Sequence, residues 1–193
     1  MRLPEAAHTS QPWRIHKIAP EFRLEDVWAL PTSGGPDDFP RLVRQFASGD
    51  PAKSPSRAVR LLFAIRWKLG ELLRLDGPDR GLRTCVATLR ERLPEDLRAA
   101  SGPAFAALPF TPLYLLDDEW AAEIANRTMH GILHLGWVPD GAGGFHGQLA
   151  VLVKPNGALG MAYMAAIRPF RYLIVYPALL RQAERDWKQV AAA

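Results

Sequence analysis

Residues 161–187 read MAYMAAIRPFRYLIVYPALLRQAERDW, and this stretch decides the fold. Its first part alternates in side-chain type as far as Ile167, which predicts the last strand of a sheet. From Pro169 onward apolar residues recur every three or four positions, which predicts one long helix with a kink near Pro177. The predicted buried stripe of this helix comprises Tyr172, Tyr176, Leu179, Ala183, Trp187 and Val190. A strand that leads directly into a long terminal helix predicts a helix packed across a sheet.

Four further strands are predicted before this stretch, at 113–116, 120–124, 128–138 and 145–154. Asn156-Gly157 predicts a tight hairpin turn between the last two strands, because both residues tolerate positive φ angles. Alternation within 128–138 separates two faces. Met129, Leu133, Leu135 and Trp137 fall on one face, and His130, Ile132 and His134 fall on the other.

The N-terminal half of the sequence predicts a mixture of strand, loop and helix. Trp13 and Ile15 predict a first strand, residues 27–30 form a short apolar cluster, and residues 31–36 form a loop. A short helix is predicted from Phe39 and a longer basic amphipathic helix over 56–75. Residues 76–109 predict a surface connection with one short helix at 88–98. We expect a single domain, divided as 13–75, 76–109, 110–167 and 168–190.

Composition narrows the class of protein. Hydrophobic residues make up 48% and charged residues 23% of the 193 positions, which is typical of a soluble globular protein. The net charge of +4 is spread along the chain, so we expect no nucleic-acid partner. The single cysteine, Cys85, excludes an internal disulfide, and the apolar runs are too short for membrane insertion. A cytoplasmic protein is therefore predicted.

No complete catalytic set is visible, so the sequence leaves open whether the protein is an enzyme. His130 and His134 lie about 13 Å apart on a strand, too far to share one metal ion. The favoured interpretation is a histidine on the sheet face with a local hydrogen bond. The glycines at 141, 143 and 144 join two strands instead of opening a helix, so they predict no dinucleotide site. We expect neither a cofactor nor a metal.

Two cations at the start of a helix oppose its dipole, which makes Arg168 and Arg171 informative. Their expected partners are the turn carboxylates at 117–119, in a structural ion pair. The alternative is an acidic ligand group at the mouth of a cavity. Methionines on the sheet, including Met161, fill gaps in a core or line an adaptable apolar pocket.

Several segments carry a resemblance to a known family. Residues 115–119 (LLDDE), 156–163 (NGALGMAY) and 167–171 (IRPFR) resemble the family called domain of unknown function 2867. Residues 27–30 and the helix predicted from residue 58 extend this likeness over most of the chain. The order of elements also resembles the helix-grip fold of the START and Bet v 1-like (SRPBCC) superfamily.

The resemblance implies an α+β helix-grip fold, in which a curved antiparallel sheet packs against a long C-terminal helix. No catalytic residues are established for members of that family. We expect the protein to bind a small apolar or amphipathic molecule between sheet and helix. The predicted pocket residues are His130, Ile132, His134, Met161, Tyr163, Arg168, Arg171, Tyr172 and Tyr176. Two alternatives remain, namely a cavity enzyme that uses a pocket histidine and an accessory domain for a separate NAD(P)-dependent oxidoreductase.

Overall fold

The computed structural model describes residues 1–50, Arg60, Leu82 and residues 86–191. The helix predicted over 56–75 and Cys85 lie outside these residues. The described helices are α1 (Ala6–Thr9), α2 (Ile15–Ile18), α3 (Phe39–Ser48), α4 (Glu95–Arg98), α5 (Gly157–Phe170) and α6 (Tyr176–Ala191). Short 3-10 turns occupy Pro36–Asp38 and Leu89–Arg92, and a π-helical turn, Arg171–Val175, joins α5 to α6.

Five antiparallel strands form one curved sheet in the order β1-β5-β4-β3-β2. They are β1 (Arg23–Gly34), β2 (Thr111–Leu115), β3 (Glu119–Ala125), β4 (Met129–Pro139) and β5 (Phe145–Pro155). Consecutive strands from β2 to β5 are neighbours, and β1 closes the other edge against β5. This arrangement confirms the predicted fold class and the strands predicted over 113–154. Within the described ranges, none of the helices is both long enough and apolar enough to cross a bilayer.

The C-terminal helical segment begins earlier than the sequence pattern predicts. The predicted strand at 159–167 is wrong, because Gly157 starts α5 and Pro169 lies inside it. Alanine, leucine and methionine dominate this stretch, and these residues are strong helix formers. Gly157 has a φ of 67°, so its positive φ turns the chain from β5 into α5 and makes no hairpin. The π-helical turn ends two residues before Pro177, in the region where the sequence predicts a kink.

The predicted first strand around Trp13 is also wrong. Residues 6–18 instead form the short helices α1 and α2, which pack on the sheet. Ile15 and Ile18 are both buried at a helical spacing of three. A Cβ atom at Gly136 would lie 2.6 Å from the Trp13 ring. The missing side chain at that strand position therefore allows the indole to lie directly on β4.

The two faces of the sheet carry separate hydrophobic clusters. The N-terminal face is covered by α1, α2 and the segment 88–98, with Ile15, Leu93 and Leu97 in its core. The helix face is covered by α3 and α6. There Tyr176 lies 4.7 Å from Trp28 between ring centroids, and Trp187 donates a hydrogen bond to the Ser33 carbonyl. The C-terminal helix thus packs on the sheet, as predicted.

Candidate functional site

Three histidines and a glutamate form a hydrogen-bonded chain on the N-terminal face, which we call the histidine chain: Glu119, His134, His8 and His16. The Nε2 atom of His134 lies 3.0 Å from the Glu119 carboxylate. His8 lies 3.2 Å from His134 and 3.1 Å from His16 between ring nitrogens. The histidine chain therefore runs from the buried strands of the sheet to the surface helix α2.

The geometry fixes one donor order if all three imidazoles are neutral. The Glu119 carboxylate can only accept, so His134 donates through Nε2 and accepts through Nδ1. His8 then donates through Nε2 to His134 and accepts at Nδ1 from the Nε2 of His16. Because His8 uses both ring nitrogens in this way, the three imidazoles form one continuous hydrogen-bonded chain. Among the described residues, no group of side chains is arranged to hold a metal ion.

Burial keeps His8, in the middle of the histidine chain, uncharged. His8 and His134 are almost completely buried, whereas His16 is half-buried. Burial, followed by the neighbouring imidazoles of His134 and His16, lowers the pKa of His8 to about 2. Burial also lowers the pKa of His16 below its ordinary value. His8 is therefore neutral near pH 7, and His16 is harder to protonate than a free imidazole.

Glu119 lies at the buried end of the histidine chain, and four groups donate hydrogen bonds to its carboxylate. The backbone N–H groups of Arg14 and Ile15 donate to it at 2.8 and 3.1 Å, and the Tyr114 hydroxyl donates at 2.5 Å. Burial raises the pKa of Glu119, but the hydrogen bond and charge of His134 and the other donors outweigh burial and lower it overall. Glu119 thus anchors the start of α2 to the sheet and holds a negative charge behind the imidazoles.

A second buried histidine–glutamate pair lies on the same face. The His130 Nε2 atom lies 2.8 Å from the Glu123 carboxylate, and both side chains are almost fully buried. Glu123 also accepts a hydrogen bond from the Leu89 backbone N–H and one from the Thr88 hydroxyl. This pair fastens the segment 88–98 to the sheet. It has the local hydrogen bond that the sequence interpretation favoured for a sheet histidine.

The helix face has its own buried charge, Asp26 on β1. Its carboxylate accepts hydrogen bonds from the hydroxyls of Tyr172 and Tyr176 and forms an ion pair with Arg171. Burial raises the pKa of Tyr176 to about 12, against the opposing charge of Arg171. Arg171 thus forms a structural ion pair as favoured, but with Asp26 and not with the turn carboxylates at 117–119.

The structure does not bring the nine predicted pocket residues together. His130, Ile132 and His134 lie on the N-terminal face, so their grouping with the C-terminal helix in one cavity is corrected. The alternation of β4 was predicted correctly, but the helix packs on the other face. Along the helical segment, Tyr176 is buried and Tyr163, Arg171 and Tyr172 are half-buried, whereas Met161 and Arg168 are exposed.

A shallow apolar surface lies on the helix face beside Asp26, which pairs with Val151 across β1 and β5. We call it the sheet depression, and it comprises Ile124, Met129, Gly131, Leu133 and Val151. Leu133 pairs with Val151 across β4 and β5, so their side chains share one face. The four side chains around Gly131 are all half-buried, although they stand on central strands of the sheet. A Cβ atom at Gly131 would meet Met129 and Ile124, so the glycine forms the floor of this depression.

The outer side of α5 and of the π-helical turn is also apolar. Met161, Phe170 and Leu173 are exposed by 56%, 50% and 77%, and Ala162, Ala165 and Ala166 are exposed between them. Monomeric proteins rarely expose such a continuous apolar strip. It is the feature expected of an accessory domain, and that alternative stays a prediction.

A groove opens on the N-terminal side of the molecule, between α2 and the segment that contains α4. Its volume is about 580 Å³, and it is lined by Arg14, Lys17, Ile18, Pro20, Arg92 and Pro94. Arg14 pairs with Asp96 at 2.8 Å, and Arg92 pairs with Glu21 at 2.6 Å, both at the surface. The groove combines cationic walls with an apolar part.

A comparison with known protein families gives the family of this protein. Residues 18–178 match the family described as Protein of unknown function (DUF2867). The chain belongs to this family. No curated protein and no solved structure matches it significantly. The DUF2867 match contains the sheet depression, Asp26 and Glu119, whereas His8 and His16 precede it.

Three residues that build the sites described above were not predicted from the sequence. His8 and His16 were not singled out, because a contact between residues 126 positions apart leaves no local pattern. Asp26 was missed because a lone aspartate in a strand usually indicates an edge or a turn. The available signal for Asp26 was its position directly before the apolar residues Val27 and Trp28, inside a buried strand.

Proposed function

We propose that the protein binds a small apolar or amphipathic molecule against the sheet depression, on the face that carries the C-terminal helix. The observation that supports this proposal best is the glycine floor at Gly131. A glycine inside a central strand weakens the strand unless another group approaches the backbone closely. Here the neighbours Met129 and Leu133 remain half-buried, so apolar surface is left for a ligand to cover.

The composition of the depression also supports an adaptable apolar ligand. Ile124, Leu133 and Val151 are purely aliphatic, and Met129 adds a flexible thioether that can adjust to different shapes. Pockets for small molecules are predominantly apolar, with a few polar groups that fix orientation. The resemblance of the element order to the helix-grip superfamily supports the same face of the sheet, the one that carries the terminal helix.

The surrounding charges favour a neutral ligand or one with a single acidic group. Arg171 is already paired with Asp26, so it has no free charge to offer. Arg168 is exposed beside Tyr172, with its guanidinium 5.9 Å from the ring centre. An acidic ligand group would therefore pair with Arg168 at the edge of the helix. An enzyme acting in this depression could not use His130 or His134, because both lie on the opposite face.

A filling substitution tests the proposal. Gly131→Leu adds a side chain where the depression is deepest, and a Cβ there meets only the ends of flexible side chains, the closest being Met129 Sδ at 3.1 Å. The wild-type protein is expected to bind the apolar dye 1-anilinonaphthalene-8-sulfonate with a micromolar Kd. In the Gly131→Leu variant the Kd should rise by about tenfold, a loss of roughly 1.4 kcal/mol.

The matched control is Ala165→Leu, which also introduces a leucine side chain, on the exposed side of α5. Its dye affinity should remain within about twofold of the wild type, a difference below roughly 0.4 kcal/mol. Both variants are first compared with the wild type by thermal unfolding. Equal dye affinity in a folded Gly131→Leu variant and the wild type would place the binding surface elsewhere and overturn the proposal.

A further inference from the structure

We propose that the outer side of α5 and of the π-helical turn binds to the surface of an anionic lipid membrane. We call this surface the apolar strip, and it comprises Met161, Ala162, Ala165, Ala166, Phe170 and Leu173. It is separate from the sheet depression and does not depend on the ligand proposed there. Two observations support membrane binding, namely the apolar composition of α5 on all its sides and the positive charge around the strip.

The helix α5 is apolar on its inner and on its outer side. Arg168 is the one charged residue in its sequence. Met164 on the inner side is buried, whereas Met161 and Phe170 on the outer side are exposed by 56% and 50%. A helix that is apolar on all sides is normally enclosed by protein or by lipid. The outer side of α5 therefore has the composition of a covered surface, although no residue in the described part of the chain covers it.

The exposed charges along the strip are all positive. Residues 145–183 contain no aspartate and no glutamate. Between Lys154 and Arg181, every residue that the structure describes as exposed is apolar, a glycine or Arg168. Within the described ranges, Arg168 has no carboxylate partner, and its guanidinium lies 5.9 Å from the centre of the Tyr172 ring. The strip therefore combines an apolar contact surface with a positive charge that no carboxylate neutralises.

Three acidic residues from the start of the sheet come close to this part of the molecule. Asp26 is buried and paired with Arg171. Glu21 pairs with Lys154 at 3.5 Å. Glu25 has no ion pair among the described residues, but its side chain is half-buried on β1. These carboxylates therefore leave the exposed surface around the strip with a positive charge.

This charge favours a lipid surface over a second copy of the chain. In a symmetric dimer formed through α5, each Arg168 would meet a surface that also carries Arg168 and has no exposed acid between residues 154 and 181. Like charges placed together in this way oppose association. An anionic membrane instead offers negative headgroups beside hydrocarbon, and these match both the cationic and the apolar part of the strip.

The dimensions of α5 fit a helix that lies on a membrane. Its 14 residues extend for about 21 Å, which is too short to cross a hydrocarbon core of about 30 Å. Tyr163 and Tyr172 flank the strip along the chain and are half-buried, and tyrosine is enriched at the level of the lipid headgroups. Leu173 is exposed by 77%. Contact with lipid would remove this apolar surface from water.

Co-sedimentation with vesicles tests this surface. The probes are vesicles of phosphatidylcholine alone and vesicles that also contain about 30% phosphatidylglycerol, an anionic lipid. The partition coefficient of the wild-type protein should be about tenfold or more higher for the anionic vesicles, and it should fall as the salt concentration rises. Phe170→Ser and Leu173→Ser should each lower this coefficient by about tenfold, because each removes most of an apolar side chain from the lipid contact.

The charge of the strip is tested by Arg168→Gln. This variant should lower the partition into anionic vesicles by about fivefold and leave the partition into phosphatidylcholine unchanged. The matched control is Lys17→Gln, which removes one exposed positive charge from α2 on the N-terminal face. It should change neither partition coefficient by more than about twofold. All four variants replace surface side chains, and thermal unfolding verifies that each is folded.

Three results would overturn membrane binding by the strip. The first is equal sedimentation of the wild-type protein with both kinds of vesicle, or with neither. The second is an unchanged partition coefficient in folded Phe170→Ser and Leu173→Ser variants. The third is a wild-type dimer in sedimentation velocity that becomes a monomer in Leu173→Ser, since the strip would then bind a second copy. None of these results alters the comparison of Gly131→Leu with the wild type in dye binding, so the two proposals fail separately.

Discussion

Acid should weaken this protein through His8 before it protonates Glu119. The folded-state pKa of His8 is about 2, against an ordinary value of 6.5. Its folded pKa is thus lower than its unfolded pKa, and below pH 6.5 the unfolded state binds the extra proton. The stability that neutral His8 contributes is therefore complete above pH 6.5 and is lost as the pH falls below that value, down to about pH 2.

The magnitude at a given pH follows from how far that pH lies below the unfolded pKa of 6.5. At pH 5 the solution is about 1.5 units below 6.5, and each unit corresponds to about 1.36 kcal/mol, so His8 alone costs about 2 kcal/mol. His16 changes stability in the same direction, because its pKa is also lowered. Glu119 has a lowered pKa and loses its contribution only below its ordinary value of 4.5. The window from pH 7 to pH 5 therefore lies above the pH at which Glu119 loses its contribution.

Urea unfolding followed by tryptophan fluorescence measures this effect. The chain has six tryptophans, and Trp13 contacts the histidine chain, with its ring centre 5.3 Å from that of His134. The urea midpoint should fall by about 1 M between pH 7 and pH 5, since the denaturant slope is typically about 2 kcal/mol per M. A His146→Gln variant should retain most of this pH dependence, because His146 is half-buried and lies outside the histidine chain. A midpoint that stays constant or rises on acidification would refute the reasoning.

Three further predictions use the same unfolding assay at pH 7. Asp26→Asn removes the buried partner of Arg171 and should cost about 3–5 kcal/mol, whereas a loss below 1 kcal/mol would show that this ion pair is not buried in solution. Glu123→Gln should cost about 1–3 kcal/mol, because His130, the Leu89 N–H and the Thr88 hydroxyl lose a carboxylate acceptor, and unchanged stability would contradict that network. Gly160→Ala should destabilise by about 1–3 kcal/mol, since its Cβ would lie 2.0 Å from a backbone oxygen in the β3–β4 turn; wild-type stability would mean that α5 does not approach this turn.

The sheet could be predicted from sequence because its signals are local. Alternation over β3, β4 and β5 and the glycine-rich turn at 141–144 located these strands, and the structure confirms them. The two faces of β4 were also separated correctly. Which face the C-terminal helix covers is a tertiary choice, and no residue within β4 encodes it.

The errors arose where one pattern fits two structures. Residues 159–167 alternate like a strand, but they are also rich in alanine, leucine and methionine, and helix propensity prevailed. Trp13 and Ile15 were interpreted as period-two residues, although Ile15 and Ile18 equally fit a helix. Both segments are short, and short apolar runs do not distinguish helix from strand by periodicity alone.

The candidate sites could be predicted less well than the fold, because each depends on distant contacts. The histidine chain joins α1 and α2 to strands more than 100 residues away. The ion pair of Asp26 joins β1 to a residue 145 positions later. The sheet depression is a property of three neighbouring strands, and its glycine floor has meaning only when the register of those strands is known.

Native mass spectrometry of the protein purified from its own host tests the central claim most directly. The claim is that a small molecule occupies the sheet depression around Gly131. The wild-type protein and the Ala165→Leu control should carry an additional small-molecule mass, and the Gly131→Leu variant should show the bare chain. A retained molecule in the Gly131→Leu variant, or a bare wild-type chain that also fails to bind apolar dye, would contradict the account.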